Sequence, residues 1–179
     1  MKKIIVLLIS LVALSACSLS NTPSGKVEAY LNQYNSLNET VKADMESKIT
    51  GENLSSDNQT IYRSVLTRQY QDMKYEMKDE KIDGDKATVT VKITVYDLYK
   101  SDKDSYNYLN EHQDEFTING MYDEDTYSKY KLNNMLNTNE KINYEVTFNL
   151  NKKDGEWVLE NPDRTTLEKI HGLYNYENE

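Results

Sequence analysis

One cysteine, two prolines, six glycines and two histidines in 179 residues leave several chemistries without their raw material. The lone thiol, Cys17, excludes an intramolecular disulfide, so a folded domain must draw its stability from its core. His112 and His171 lie far apart in the chain and fall short of the three or four ligands that zinc requires. His112, set in Glu111-His112-Gln113-Asp114-Glu115, reads as a solvated helix face. No serine sits in a nucleophile elbow. Asp102-Lys103-Asp104-Ser105 and Asp123-Glu124-Asp125 lack the alternating oxygen ligands, central glycine and terminal Glu of a calcium loop. No metal or cofactor is expected. Cations are also in the minority: 21 Lys and Arg stand against 30 Asp and Glu, a formal charge of −9. That balance argues against nucleic acid, and against a protein lying flat on anionic lipid.

Long apolar runs are missing too. The only one, Ile4 to Leu14, is broken by Ser10 and is shorter than the ~20 residues of a membrane-spanning helix. Met1-Lys2-Lys3 precedes it, and Ser15 and Ala16, both small, lead into Cys17. A basic start, a short apolar stretch and small residues at its end form the layout of a secretory signal. Leu14-Ser15-Ala16-Cys17 further resembles the lipobox of bacterial lipoproteins. The resemblance implies cleavage after Ala16, diacylglycerol on the Cys17 sulfur and acyl chains seated in the membrane. Two chains suffice for stable anchoring where one does not. Residues 1–16 are thus expected to be a signal peptide and residues 17–24 a lipidated tether. An ordinary signal or an uncleaved anchor are the competing readings. Loss of Lys2 and Lys3 with no acid takes the formal charge from −9 to −11. The wealth of Asn, Asp, Lys and Tyr fits a low-GC Gram-positive source, placing the domain on the outer face of the cell membrane.

Residues 25–176 read as one domain. Thr22 followed by Pro23 fits a helix N-cap and first position, and Val27, Tyr30, Leu31, Tyr34 and Leu37 recur at helical spacing. Val41, Met45 and Ile49 mark a second helix that stops at Gly51. Ser56 and Gln59 resemble a capping box opening a third, through Ile61, Tyr62, Val65, Leu66, Tyr70 and Met73. The period then changes to two. Tyr75 and Met77 begin a strand, Asp83-Gly84 turns it, and Ala87, Val89, Val91, Ile93 and Val95 alternate with polar residues. Alternation returns at Ile142, Tyr144, Val146, Phe148 and Leu150, and Lys153-Asp154-Gly155 turns the chain into Trp157-Val158-Leu159. Thr165 to Glu168 reads as a capping box opening a last helix.

Between the two hairpins, residues 99–139 are polar, acidic and rich in tyrosine. Tyr106, Leu109, Gln113 and Phe116 fit one helix ended by Asn119-Gly120, and Asp123 caps another through Tyr127, Tyr130, Leu132 and Leu136. The whole is α+β: N-terminal helices packed on a curved antiparallel sheet of about four strands, with a helical insertion between the hairpins. Thr22-Pro23 with Val27-Glu28-Ala29-Tyr30-Leu31, and the Asp154-Gly155-Glu156-Trp157 hairpin, resemble the NTF2-like (cystatin-like cone) domains of Gram-positive lipoproteins. The insertion is longer than that family's usual crossover. Ketosteroid-isomerase-like members of the family work through an Asp base and an oxyanion donor in a dry cone. No carboxylate falls at the inward strand positions assigned here.

Tyr99, Tyr106, Tyr108, Tyr122, Tyr127 and Tyr130 are the candidate binding surface, because tyrosine joins a rigid apolar body to a polar tip. Their alternative role is core filler in place of Phe and Leu. Three sequons, at Asn38, Asn53 and Asn58, read as chance. The expected function is non-enzymatic: a lipid-anchored surface domain that binds a protein, peptide or glycan through the cone or the insertion. Two alternatives stand beside it, a small-ligand or catalytic pocket in the cone, and an accessory module for cell-envelope enzymes. Tyr75, Tyr144, Phe148 and Trp157 decide whether the cone is filled, and the insertion is expected to be removable without loss of fold. The anchor is tested directly. The mature protein should partition into the detergent phase and Cys17→Ala into buffer; unchanged partition of the variant would leave only an uncleaved anchor.

Overall fold

The computed structural model describes residues 21–178. Among these residues three helices lead into a sequence of three strand hairpins separated by single helices, with a sixth helix last. The helices are α1 (Pro23–Asn35), α2 (Glu39–Gly51), α3 (Ser56–Gln71), α4 (Leu98–Glu111), α5 (Glu124–Asn137) and α6 (Arg164–His171). The strands are β1 (Lys74–Asp83), β2 (Lys86–Tyr96), β3 (Thr117–Ile118), β4 (Met121–Tyr122), β5 (Lys141–Lys153) and β6 (Glu156–Leu159). The main sheet runs β1-β2-β5-β6, antiparallel throughout, and β3 and β4 form a separate small hairpin. This is the expected α+β architecture, consistent with an NTF2-like fold, with α4 and α5 inserted between the two hairpins. Among the described residues no helix is long and apolar enough to cross a membrane.

Each helix starts on a side chain that accepts one of its orphan N–H groups. Thr22 accepts from Gly25, Asn38 from Val41, Asp97 from Lys100, Asp123 from Thr126 and Asp163 from Thr166. Two expected capping boxes shift. Ser55, one residue earlier than read, caps α3, and Gln59 donates instead to the Leu54 carbonyl. Asp163 caps α6, leaving Glu168 to pair with Arg164 at 2.6 Å. Asn21 to Ser24, read as the end of a tether, are part of the fold. Asn21 accepts from the Trp157 N–H at 3.0 Å and Pro23 is buried. The sequons are occupied by structure at two places: Asn38 caps α2, and Asn58 is fully buried, donating to Asp125.

Two cores share the molecule. In the first, Val27 and Leu31 of α1 and Ile170 of α6 cover one sheet face, made by Val89, Val91, Ile93, Tyr144, Val146, Phe148, Leu150 and Trp157. Tyr144, Phe148 and Trp157 are buried and Tyr75 packs against them, its hydroxyl donating to Asn32 at 2.8 Å. Side chains therefore fill the cone. A bulge between Met77 and Asp79 changes the register of β1 and brings Glu80 opposite Val89, on the inward face. Glu80 is not among the positions assigned inward from the sequence, and it is exposed at the sheet edge, where it takes the Ser24 N–H at 2.9 Å.

The second core lies among helices, with Tyr96 at the end of β2 as its one strand residue. Val41, Met45 and Ile49 of α2 and Tyr62, Val65, Leu66 and Tyr70 of α3 meet Leu98 of α4 and Leu132 and Met135 of α5. The insertion is thus half of a core and is not removable. Its deletion would uncover Tyr62, which is 8% exposed, and Leu66, which is fully buried.

The cores join where Gly172 ends α6. Its φ of +71° favours glycine, and a Cβ there would collide with the Tyr96 carbonyl and the Gln69 amide. Gly155 also has a positive φ, +83°, but a Cβ there meets open space. Gly172→Ala should therefore cost ~2–4 kcal/mol from backbone strain plus overpacking, against ~1 kcal/mol for Gly155→Ala. Urea denaturation of the two variants checks this, and equal losses would refute the close approach.

Candidate functional site

After α4 a 3-10 turn, Gln113–Phe116, leads into β3. Asn119 and Gly120, with φ of +54° and +78°, form the two-residue hairpin turn into β4. They end no helix, as the sequence reading had them do. The Asp123 N–H then donates to the Phe116 carbonyl at 2.8 Å, closing the loop at the start of α5.

Phe116, 3% exposed, is the hub of an aromatic cluster under this hairpin. Its ring lies 5.5 Å from Tyr127, 5.3 Å from Tyr130 and 6.2 Å from Tyr108, all edge-on. Tyr108 in turn stacks on Tyr130 at 4.9 Å and on His112 at 4.0 Å. Edge-to-face and offset-stacked rings are the favoured geometries, and they lock the side chains in place. The Tyr108 hydroxyl donates to the Glu115 carboxylate at 3.0 Å, and this bond, with burial, makes the phenol hold its proton more tightly than usual. Burial pushes the Tyr127 hydroxyl up to about 12, with Asp102, Tyr122 and Tyr106 adding to it. Tyr108 and Tyr127 therefore act as neutral hydrogen-bonding groups.

The hairpin beside this cluster exposes apolar groups on both of its faces, Ile118 and Met121 on one and Tyr122, 6.5 Å from the Tyr127 ring, on the other. Of the six large apolar side chains most exposed among the described residues, four are here: Met121 at 71%, Tyr106 at 57%, Tyr122 at 55% and Ile118 at 52%. Exposed apolar groups gathered in one place are informative where scattered ones are not. Around them, Glu111, Asp114, Glu115, Asp123, Glu124 and Asp125 supply negative charge, and residues 111–125 contain no Lys or Arg.

Of the six candidate tyrosines, Tyr106, Tyr108, Tyr122, Tyr127 and Tyr130 come together, in two different roles. Tyr108, Tyr127 and Tyr130 fill space around Phe116, while Tyr106 and Tyr122 face solvent. Tyr99 is elsewhere, packed edge-on to Tyr176 at 5.1 Å. Ile118 and Met121 escaped the sequence reading, and Phe116, read as part of a helix stripe, ends a 3-10 turn instead. Their signal was an Asn-Gly pair flanked by apolar residues, which marks a hairpin. Leu14, Ser15, Ala16 and Cys17 lie outside the described residues. The acidic clusters are spent on local structure: Asp123 caps α5, Asp125 accepts from Asn58, and Asp102 and Asp104 pair with Lys131 and Lys100.

The second histidine is far from the first. His171, at the end of α6, takes part through Nδ1 in a 2.9 Å hydrogen bond with the Tyr70 hydroxyl. Tyr34 packs edge-on to Tyr70 at 5.2 Å and shares a 3.1 Å hydrogen bond with Tyr30. Compared with known proteins, the chain matches no family model, no curated relative and no solved structure.

Burial lowers the His171 imidazole from 6.5 to about 3, and the positive charge of Lys48 adds to the shift. Below pH 6.5 the unfolded chain takes a proton that the folded chain refuses. Stability should therefore fall as the pH drops from 6.5 toward 3, by at most ~1.4 kcal/mol per unit from this group. His171→Phe should be less stable at neutral pH but flatter between pH 6.5 and 5. Urea titrations at several pH values read the slopes, and parallel curves would overturn the assignment.

Proposed function

We propose that this is a lipid-anchored domain of the outer face of a cell membrane, non-enzymatic, that binds a polypeptide partner through the hairpin tip of the α4–α5 insertion. The observation that carries the reading is the exposure of Ile118, Met121 and Tyr122 on one short hairpin, with Tyr106 on α4, next to a cluster of packed aromatic rings. A rigid apolar patch loses little conformational entropy when it docks, and aromatic anchors with an acidic rim make a typical recognition surface. The signal-like N-terminus and Cys17 support the location. The filled cone favours a surface site over a pocket between helices and sheet.

Each exposed anchor should contribute ~1.5–3 kcal/mol once buried, so single truncations should weaken binding by roughly tenfold or more. A photo-reactive amino acid at position 121, displayed on intact cells, should give one dominant adduct. Ile118→Ser and Tyr122→Ser should each suppress it, while the same probe at position 81 on β1 should give none. Equal adducts at both positions would refute the site.

A further inference from the structure

A second place in the molecule has the chemistry of a receptor, and it owes nothing to the tip. Between α1, α2, α3 and α6 lies a cavity of about 230 Å³ lined by Tyr34, Asp44, Met45, Lys48, Tyr70 and His171. No sheet residue lines it, so it is distinct from the filled space under the sheet. Its volume is below the ~300 Å³ at which pockets for drug-sized ligands begin, which limits an occupant to a small molecule.

Asp44 and Lys48 stand one helical turn apart on α2, the spacing at which opposite charges pair along a helix. Lys100 with Asp104, and Arg164 with Glu168, do so at the same spacing, at 2.7 Å and 2.6 Å. Asp44 and Lys48 do not: neither makes an ion pair among the described residues, and both line the cavity instead. The Lys48 ammonium is partly desolvated, and burial lowers its proton affinity even though Glu52 and Glu168 pull the other way. A partly buried cation without a direct partner gains from an incoming carboxylate. Between the two charges the walls are apolar or aromatic: Val41, Met45 and Leu167, with the rings of Tyr34 and Tyr70. The neutral imidazole of His171, bonded only through Nδ1 in the described structure, completes the lining.

We propose that this cavity binds a small zwitterion, a free α-amino acid with an apolar side chain. Lys48 takes its carboxylate, Asp44 its ammonium, and the Val41, Met45, Leu167 and tyrosine walls its side chain. The three contacts require both charges on one small molecule, which is what sets this class apart from simple carboxylates or amines.

The test is a titration of the full chain, in detergent, followed by amide chemical shifts. L-leucine should give saturable shifts confined to α2, α6 and the Tyr34 and Tyr70 neighbourhoods. N-acetyl-leucine, which lacks the ammonium, and leucinamide, which lacks the carboxylate, should each bind at least tenfold more weakly. Lys48→Met should erase the difference between leucine and leucinamide, and Asp44→Asn that between leucine and N-acetyl-leucine. Asp44 is exposed and Lys48 half-buried, and unchanged circular dichroism shows that the variants fold. Absence of saturable shifts with both leucine and phenylalanine would overturn the proposal. So would equal binding of all three leucine compounds, or shifts centred on Met121.

Discussion

A single buried amide holds the two halves of this domain together. Gln69 of α3 is 1% exposed, and its Oε1 accepts from the Tyr96 N–H at the end of β2 at 3.0 Å. Its Nε2 donates to the carbonyls of Tyr96 and Ile170, at 3.4 and 3.5 Å. A buried amide that satisfies three backbone groups from two other elements is costly to lose, because each is left unpaired away from water. Gly172 lets the chain pass this close, and its carbonyl then accepts from the Tyr99 N–H at 2.8 Å, beside the start of α4. The sheet core ends at Ile170 and the helical core begins at Tyr96 and Leu98, so the direction in which the insertion leaves the sheet is set at this junction.

Arg68, one residue before Gln69, secures the other end of the insertion. Its guanidinium lies 3.8 Å above the Tyr96 ring and donates to the carbonyls of Leu136 and Thr138, at 2.6 and 2.8 Å. A cation at the C-terminus of α5 meets both its unpaired carbonyls and its dipole. Consecutive residues of α3 thus fix where α4 starts and where α5 stops. The aromatic tip is therefore carried on two helices whose far ends are both fixed to α3.

The abundance of tyrosine takes on three meanings in one molecule. Tyr108, Tyr127 and Tyr130 surround Phe116 and stand in for the phenylalanines the chain lacks. Tyr30, Tyr34 and Tyr70 join the helices beside His171, where burial raises all three hydroxyls above their ordinary range. Tyr106 and Tyr122 are left in water. Edge strand β1, by contrast, carries Lys, Glu and Asp along most of its length, which discourages pairing with another sheet.

Much of the fold is legible in the sequence because its causes are local. Alternation in Ala87 to Val95 and Ile142 to Leu150 can be satisfied only by strands with one buried face, and the 3.6-residue stripes of α1, α2 and α3 only by packed helices. The caps Thr22 and Asp123 act within three residues of themselves, so they too could be read directly. What tertiary structure alone decided is every matter of which distant surfaces meet. Leu132 and Met135 look like a thin stripe until α3 supplies Tyr62 and Leu66 opposite them. Gln69 is one polar residue among many until Tyr96 and Ile170 arrive around it. Asp44 and Lys48 have the spacing of a pair, and only the approach of Tyr70 and His171 makes a cavity there. Periodicity records which side of an element is apolar; the partner of that side is chosen by packing between residues far apart in the chain, and no local pattern carries it.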